Sequence, residues 1–579
     1  MNGDGCPLIT PYTKSPITKS VDKKLIVISI LSWILLPIIT FYFKFFPTIG
    51  NSLISDLFIV GLIFSLFLIL TIGSLLIKNH TDVFYLLPQC LILTFLARII
   101  WYLRISYPAL WDPYAHLVSF LNIHRYHTLN PIMDWWAPDI EKTLHWPILY
   151  LITEELIIAT GINYIHVWRF QEPLLGIVFF LIIFILAREV AKDNRIALLA
   201  ANFTSFASHI IFYQSEYHMQ GLALIFFAFL IYSFIKSEST NSYRLLTLLF
   251  MLACIFSHYF SSLFLAVVFA TMIVMQFLSK KLSIVIRGES NSSFIFLIFI
   301  ICSLAYHLYV FSKHFETYME MILSTAYPYN APLFSPSGAF FVTTIIKSVR
   351  WVVFALAVVS VIYILKTKNK KEYYLATFWL IFLILGFVGQ FLIWLEVGRI
   401  VTFYETITGI FAALTLFRFR DLWVHRINRS KKTFIVCLLT SSILTCTFFG
   451  GHYIPAYYFK SFGMNDAYWC SNRLPNMDAY VPAGKWLNIF VPSDSKFVTD
   501  FDRYGFTSSL VLFFGEKSPK NIIKTNSPIK DGLKLFKHLK QKEDVYVVLN
   551  QAYKYSNFKD FLRYSNLIYT NGEIGIYTR

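Results

Sequence analysis

The chain reads as a polytopic α-helical membrane protein of about thirteen spans, followed by a smaller soluble α/β unit. Three observations carry that reading. Hydrophobic residues make up 56% of the 579 residues and charged residues 14%, where a soluble globular chain carries about 25% charged residues. Runs such as 25–43, 57–77 and 294–310 come close to the roughly 20 apolar residues that a bilayer core requires. Past residue 451 the long apolar runs stop, and short β-rich stretches between polar turns replace them.

Spans are expected near 25–43, 54–77, 84–103, 168–187, 196–213, 219–235, 244–258, 259–278, 293–312, 348–365, 373–395, 400–417 and 432–450. The first run is too long for a signal peptide and no small-residue cleavage site follows it, so it counts as a span. The stretch 244–278 is too long for one crossing and reads as a helical hairpin with Ser257-His258-Tyr259 at its tip.

Lysine and arginine then give the orientation. With the N-terminus cytoplasmic, the inner segments hold Lys14, Lys19, Lys23 and Lys24, then Lys78, then Arg188, Lys192 and Arg195. Further inner segments hold Lys236 and Arg244, then Lys280, Lys281 and Arg287, then Lys366, Lys368, Lys370 and Lys371, and finally Arg418, Arg420, Arg426, Arg429, Lys431 and Lys432. The short outer loops hold few cations, such as Lys44, Lys313 and Lys347. Topology thus accounts for the net charge of +17 without a nucleic-acid partner. The expected location is the cell membrane, multi-pass, with residues 1–450 as the membrane domain and 451–579 as an extracytoplasmic α/β domain.

The outer face collects the polar residues. Asp112 opens the first large outer loop, 104–167, in the run Trp111-Asp112-Pro113-Tyr114-Ala115-His116. A carboxylate at a membrane–water boundary, followed by aromatics and a histidine, can act as a base beside a lipid-borne substrate. Within this loop, residues 114–127 show helical spacing with Leu117, Phe120 and Leu121 on one side, which predicts a helix lying in the interface plane. Residues 146–162 are apolar but interrupted by Glu154 and Glu155, so they are expected to skim the outer leaflet. Glu216 and His218, His258, Glu396 and Arg399 reach the same face. In the tail, 496–499 and 545–549 read as buried strands, 532–539 as a short helix, and 566–577 as a hairpin turning at Asn571-Gly572. Of the seven cysteines only Cys470 lies in this tail, so no disulfide is expected to staple it.

On these residues the chain resembles the GT-C superfamily of integral-membrane glycosyltransferases, which take a sugar from a polyprenyl phosphate or diphosphate. The run Asp112-Pro113-Tyr114-Ala115-His116 is similar to the acidic motif of that family's first outer loop. Gln214-Ser215-Glu216-Tyr217-His218 resembles its second acidic site, and Arg399 in Glu396-Val397-Gly398-Arg399 resembles its lipid-phosphate-binding arginine. Archaeal-type members end in an α/β domain with features like Ala483-Gly484-Lys485-Trp486-Leu487, Val498-Thr499-Asp500 and the terminal hairpin. The likeness covers most of 84–579 through short motifs. The Trp-Trp-Asp-Tyr-Gly run of the oligosaccharyltransferase branch is missing, and the second loop offers Glu-Tyr-His in place of paired aspartates. Branches using a monophosphate-linked sugar are the closer comparison.

The resemblance implies Asp112 and Glu216 as catalytic residues, with Tyr114, His116, His218, His258, Glu396 and Arg399 binding substrate. The expected partners are a polyprenyl-phosphate-linked sugar donor, a lipid, glycan or protein acceptor, and membrane lipids. A carboxylate such as Asp112 would take the proton of an acceptor hydroxyl, and a guanidinium such as Arg399 would stabilise the departing phosphate. Each residue also has a plainer reading. Asp before Pro commonly caps or turns a helix, a terminal arginine snorkels to headgroups, and His258 solvates a hairpin tip. A divalent cation (Mg or Mn) on Asp112, Glu216 and His218 would suit a diphosphate donor. His116, His124 and His127 lack a zinc pattern. The alternatives are a transporter or flippase of lipid-linked sugars, or a metal-dependent oligosaccharide transferase.

Overall fold

In the computed structural model the described residues are 23–45, 53–77, 82–104, 112–129, 144–215, 217–237, 240–281, 294–310, 354–364, 370–392, 397–423, 477–492, 495–500, 522–525, 545–550, 565–570 and 574–578. They form a helical bundle and a five-stranded sheet.

Three helices come first: α1 (Lys23–Phe45), α2 (Leu53–Leu76) and α3 (Val83–Arg104), packed against one another. The first-loop elements are α4 (Asp112–Tyr126) and α5 (Ile148–Thr160). Pro113 sits in the first turn of α4, where a missing N–H costs nothing and its fixed φ favours the helix. Helix α5 starts after Pro147 and ends at Gly161, whose φ of 67° lets its N–H close on the Ile157 carbonyl at 2.8 Å. The side chain of Asn163 then accepts the Ile165 N–H at 2.9 Å and starts α6 (Tyr164–Ala191).

The expected span at 196–213 is two helices, α7 (Asn194–Ser205) and α8 (Ser208–Ser215). The break falls at Phe206-Ala207, where the Ala207 N–H reaches back only three residues to the Thr204 carbonyl, at 3.1 Å, and tightens the last turn. Then follow α9 (Met219–Ser237), α10 (Ser242–Ser257) and α11 (Tyr259–Lys281). The last two are the predicted hairpin, with His258 extended between them. Residues Phe294–Val310 (α12) and Phe354–Ile364 (α13) are helical, and α14 (Lys370–Leu392) and α15 (Val397–Trp423) complete the bundle. Helix α7 is buried between α6 and α15. Gly409 makes the α15 approach possible, because a Cβ there would lie 2.3 Å from the Thr204 hydroxyl oxygen. Among the described helices, α6 and α9 are long and apolar enough to cross a bilayer. The expected span at 432–450 lies outside the described residues.

The bundle exposes apolar side chains and buries polar ones. Leu245, Phe277, Ile301 and Leu308 are 57–67% exposed, whereas Arg98, Gln171, Glu172, Gln214 and Gln220 are at most 2% exposed.

The tail supplies α16 (Met477–Phe490) and strands β1 (Lys496–Asp500), β2 (Ile522–Thr525), β3 (Val545–Asn550), β4 (Asn566–Thr570) and β5 (Ile574–Thr578), in the order β2-β1-β3-β5-β4. Strands β1, β2 and β3 are parallel, while β5 runs antiparallel to β3 and β4. Strands β1, β3 and the β4–β5 hairpin match the sequence reading, and β2 was not foreseen in it. The predicted helix at 532–539 lies outside the described residues. One connected apolar cluster runs from Leu117, Phe120 and Leu121 on α4 through Trp146 and Tyr150 to Val548, Ile574 and Ile576 of the sheet.

Candidate functional site

Three predicted residues from three separate stretches meet at one end of the bundle. His116 lies on α4, His218 just before α9, and His258 just before α11. The His116 and His218 rings are edge-to-face, with centroids 5.3 Å apart, and the His218 and His258 centroids are 6.5 Å apart. All three side chains are at most 6% exposed.

Local structure fixes two of these rings in the same way. The Nδ1 of His218 accepts the Gln220 backbone N–H at 3.0 Å, and the Nδ1 of His258 accepts the Ser261 N–H at 3.2 Å. Each imidazole therefore caps the helix that follows it, a role more often filled by Asn, Asp, Ser or Thr. A neutral ring that accepts at Nδ1 carries its proton on Nε2. His116 is held differently, with its Nδ1 2.9 Å from the Tyr150 hydroxyl of α5.

A second polar network supports the first. Thr153 Oγ1 on α5 lies 2.7 Å from both Gln171 Oε1 on α6 and the Tyr217 hydroxyl. Burial pushes the Tyr217 hydroxyl well above its ordinary pKa, so it stays neutral while it shares a hydrogen bond with Thr153. Tyr217 precedes His218, and this anchor therefore fixes the backbone that carries the histidine.

Helix α15 joins the same end. The Gln220 side-chain amide donates to Thr402 Oγ1 at 2.9 Å, and Arg399 stands in the turn before Thr402. The starting ends of α9, α11 and α15 are thus neighbours. Each is the positive end of a helix dipole, which favours a bound anion.

Asp112 is the first residue of α4 and lies four positions before His116, on the same helical face. The side chains of Asp112, Tyr114 and Arg399 lie outside the described residues, as do Glu216 and Glu396 entirely. Of the trio considered for a divalent cation, only the His218 side chain is described. His124 bonds Glu154 through Nδ1 at 2.7 Å and ties α4 to α5. Among the described residues no group of three histidine, cysteine, aspartate or glutamate side chains is placed to hold a metal.

Sequence reading missed Tyr150, Thr153, Gln171, Tyr217 and Thr402, whose roles come from packing between distant segments. It also missed Arg98 on α3, which is fully buried. The guanidinium donates to the carbonyls of Thr94 and Ser205 at 2.9 Å each, and to Gln214 Oε1 at 2.7 Å. Gln214 is four residues before His218, so Arg98 anchors the entry to the site from inside the bundle.

No family model matches the chain, and no curated protein matches it. Among solved structures, the crystal structure of ArnT from Cupriavidus metallidurans bound to undecaprenyl phosphate aligns at a TM-score of 0.49 with 9% identity, over 86% of this chain and 97% of that one. Neither family nor chemistry follows for this chain from a likeness at that level.

Proposed function

We propose that this chain is an integral-membrane glycosyltransferase of GT-C type. It moves a sugar from a polyprenyl-phosphate-linked donor to an acceptor hydroxyl at the extracytoplasmic face. The observation that carries the proposal is the meeting of His116, His218 and His258 at the starting ends of α9, α11 and α15, beside the helix that begins at Asp112. Such a site combines helix N-termini and a candidate cation, Arg399, for a phosphate, with a candidate base, Asp112, one helical turn from His116.

The membrane setting rests on the exposed apolar side chains around the bundle, which water would penalise and lipid would not. The charge bias of the loops places the histidine end outside, with the sheet of 451–579 on the same side. In the reaction, Asp112 takes the acceptor hydroxyl proton as the oxygen attacks the anomeric carbon. The bond from that carbon to the phosphate oxygen breaks, inverting its configuration. The polyprenyl phosphate leaves with the bonding electron pair, and its charge is met by Arg399 and the helix ends.

The test uses the purified full-length protein in lipid nanodiscs with a polyprenyl-phosphate-linked sugar and a membrane extract as acceptor source. Release of polyprenyl phosphate with sugar appearing on the acceptor supports the proposal. Arg98 and Glu172, ionisable and buried within helices, favour a second reading, a transporter of lipid-linked sugars. In liposomes that reading expects the labelled donor to change leaflets with its sugar–phosphate bond intact.

A further inference from the structure

Arg98 on α3 and Glu172 on α6 are fully buried and oppositely charged in type, yet they are not paired. The guanidinium donates only to neutral acceptors, Gln214 Oε1 and the carbonyls of Thr94 and Ser205. Neither oxygen of the Glu172 carboxyl group has a hydrogen-bond partner among the described residues. Two other buried carboxylates are paired. Glu189 accepts from Lys192, Lys236 and Lys371, and Glu372 from Arg418.

The two groups lie one helical turn apart along α6. The Arg98 stem rests on Gly176, where a Cβ would be 2.4 Å from its Cδ and Nε. Glu172 is four residues earlier on the same face, roughly 6 Å along the helix. Arg98 is turned toward Thr94, four residues before it on α3. Helices α3 and α6 are consecutive spans and run in opposite directions, so the opposite turn of the side chain leads toward Glu172. Pro173, the residue after Glu172, removes one hydrogen bond from the α6 ladder and weakens the helix at this turn. Both groups are also linked to the segment that carries His218. Arg98 holds Gln214. Gln171, beside Glu172, shares Thr153 with Tyr217, and Glu172 acts electrostatically on the Tyr217 hydroxyl.

We infer that Arg98 and Glu172 form a conformational switch, in which the guanidinium exchanges Gln214 for the Glu172 carboxylate and thereby resets residues 214–218 and the position of His218. Both groups are already out of water, so bringing them together adds attraction at low dielectric without burying anything further. A carboxylate is also a stronger acceptor for a guanidinium than an amide oxygen is. The Nε2 groups of Gln171 and Gln214 are buried without an acceptor among the described residues. The present arrangement therefore leaves donors as well as acceptors unmatched, which a second arrangement relieves. The consequence for catalysis rests on the function proposed above, whereas the exchange itself does not.

A double-mutant cycle on Gln214 and Glu172 tests the exchange, read by melting of the full-length protein in detergent. In Gln214→Leu the carboxylate recaptures the guanidinium, so the melting temperature falls little. Glu172→Met, an apolar side chain of similar length, leaves Arg98 on Gln214 and is also mild. The double variant deprives Arg98 of both partners, and its melting temperature falls by more than the sum of the two single shifts. A second readout needs only the Glu172→Met protein, and so survives a double variant that does not fold. With no carboxylate to move to, Arg98 stays on Gln214, and hydrogen exchange over 214–218 slows several-fold against the parent. Additive melting shifts, or unchanged exchange over 214–218 in Glu172→Met, overturn the inference. Neither readout uses a sugar donor, so failure of the switch is distinguishable from failure of the glycosyltransferase reading.

Discussion

Replacing Gly176 with alanine tests how the bundle supports the site. A Cβ at this position would lie 2.4 Å from both Cδ and Nε of Arg98, against at least 3.4 Å in ordinary contact. Arg98 must then retreat by roughly 1 Å, enough to carry bonds of 2.7–3.2 Å to Gln214 and Ser205 beyond hydrogen-bonding range. Two charge-assisted bonds lost from a buried cation cost about 3–5 kcal/mol. The assay is thermal unfolding of the purified protein in detergent, read beside Gly161→Ala. Gly161 has open space around it but a φ of 67°, so alanine there costs only about 1 kcal/mol of backbone strain. Gly176→Ala should melt well below Gly161→Ala. Because Gln214 leads into His218, its catalytic turnover should fall as well. A Gly176→Ala melting temperature equal to the parent's would refute the assignment of Arg98 as the internal anchor.

His218→Asn separates capping from substrate binding, since asparagine caps a helix well. Stability should stay within about 1 kcal/mol of the parent while KM for the lipid donor rises, and an unchanged KM removes His218 from the site. Glu189→Gln leaves three lysines around a neutral group and should cost about 1–3 kcal/mol, less than a fully buried pair because the lysines reach water. Denaturant titration in detergent reads this directly. Glu154→Gln, which leaves His124 without its carboxylate, should loosen α4 from α5 and raise hydrogen exchange over 112–126 without altering exchange in α9.

Much of the bundle was legible because hydropathy is a long-range average that one odd residue does not disturb. The hairpin at His258 was readable from length, and helix α4 from the spacing of Leu117, Phe120 and Leu121. The split of 196–213 was hidden, because Phe206-Ala207 is as apolar as its flanks and the break comes from a tightened turn. Strand β2 escaped notice because Ile522-Ile523-Lys524-Thr525 is only four residues long and does not alternate. At the site, His116, His218 and His258 could be placed on one face by counting spans, but their contact could not be counted. The capping by the two Nδ1 atoms needs backbone geometry. Arg98 was passed over as one charge in a leucine-rich helix, since its partner Gln214 is 116 residues away.

The central claim is that a carboxylate at the start of α4 is the base for transfer of a lipid-borne sugar. The most direct measurement is single-turnover transfer from a polyprenyl-phosphate-linked sugar by the Asp112→Asn protein in nanodiscs, with abundance and melting temperature followed in parallel. Loss of the base should reduce the rate by about a hundredfold or more while abundance and melting stay at parental values. Parental turnover in the Asp112→Asn protein would contradict the account.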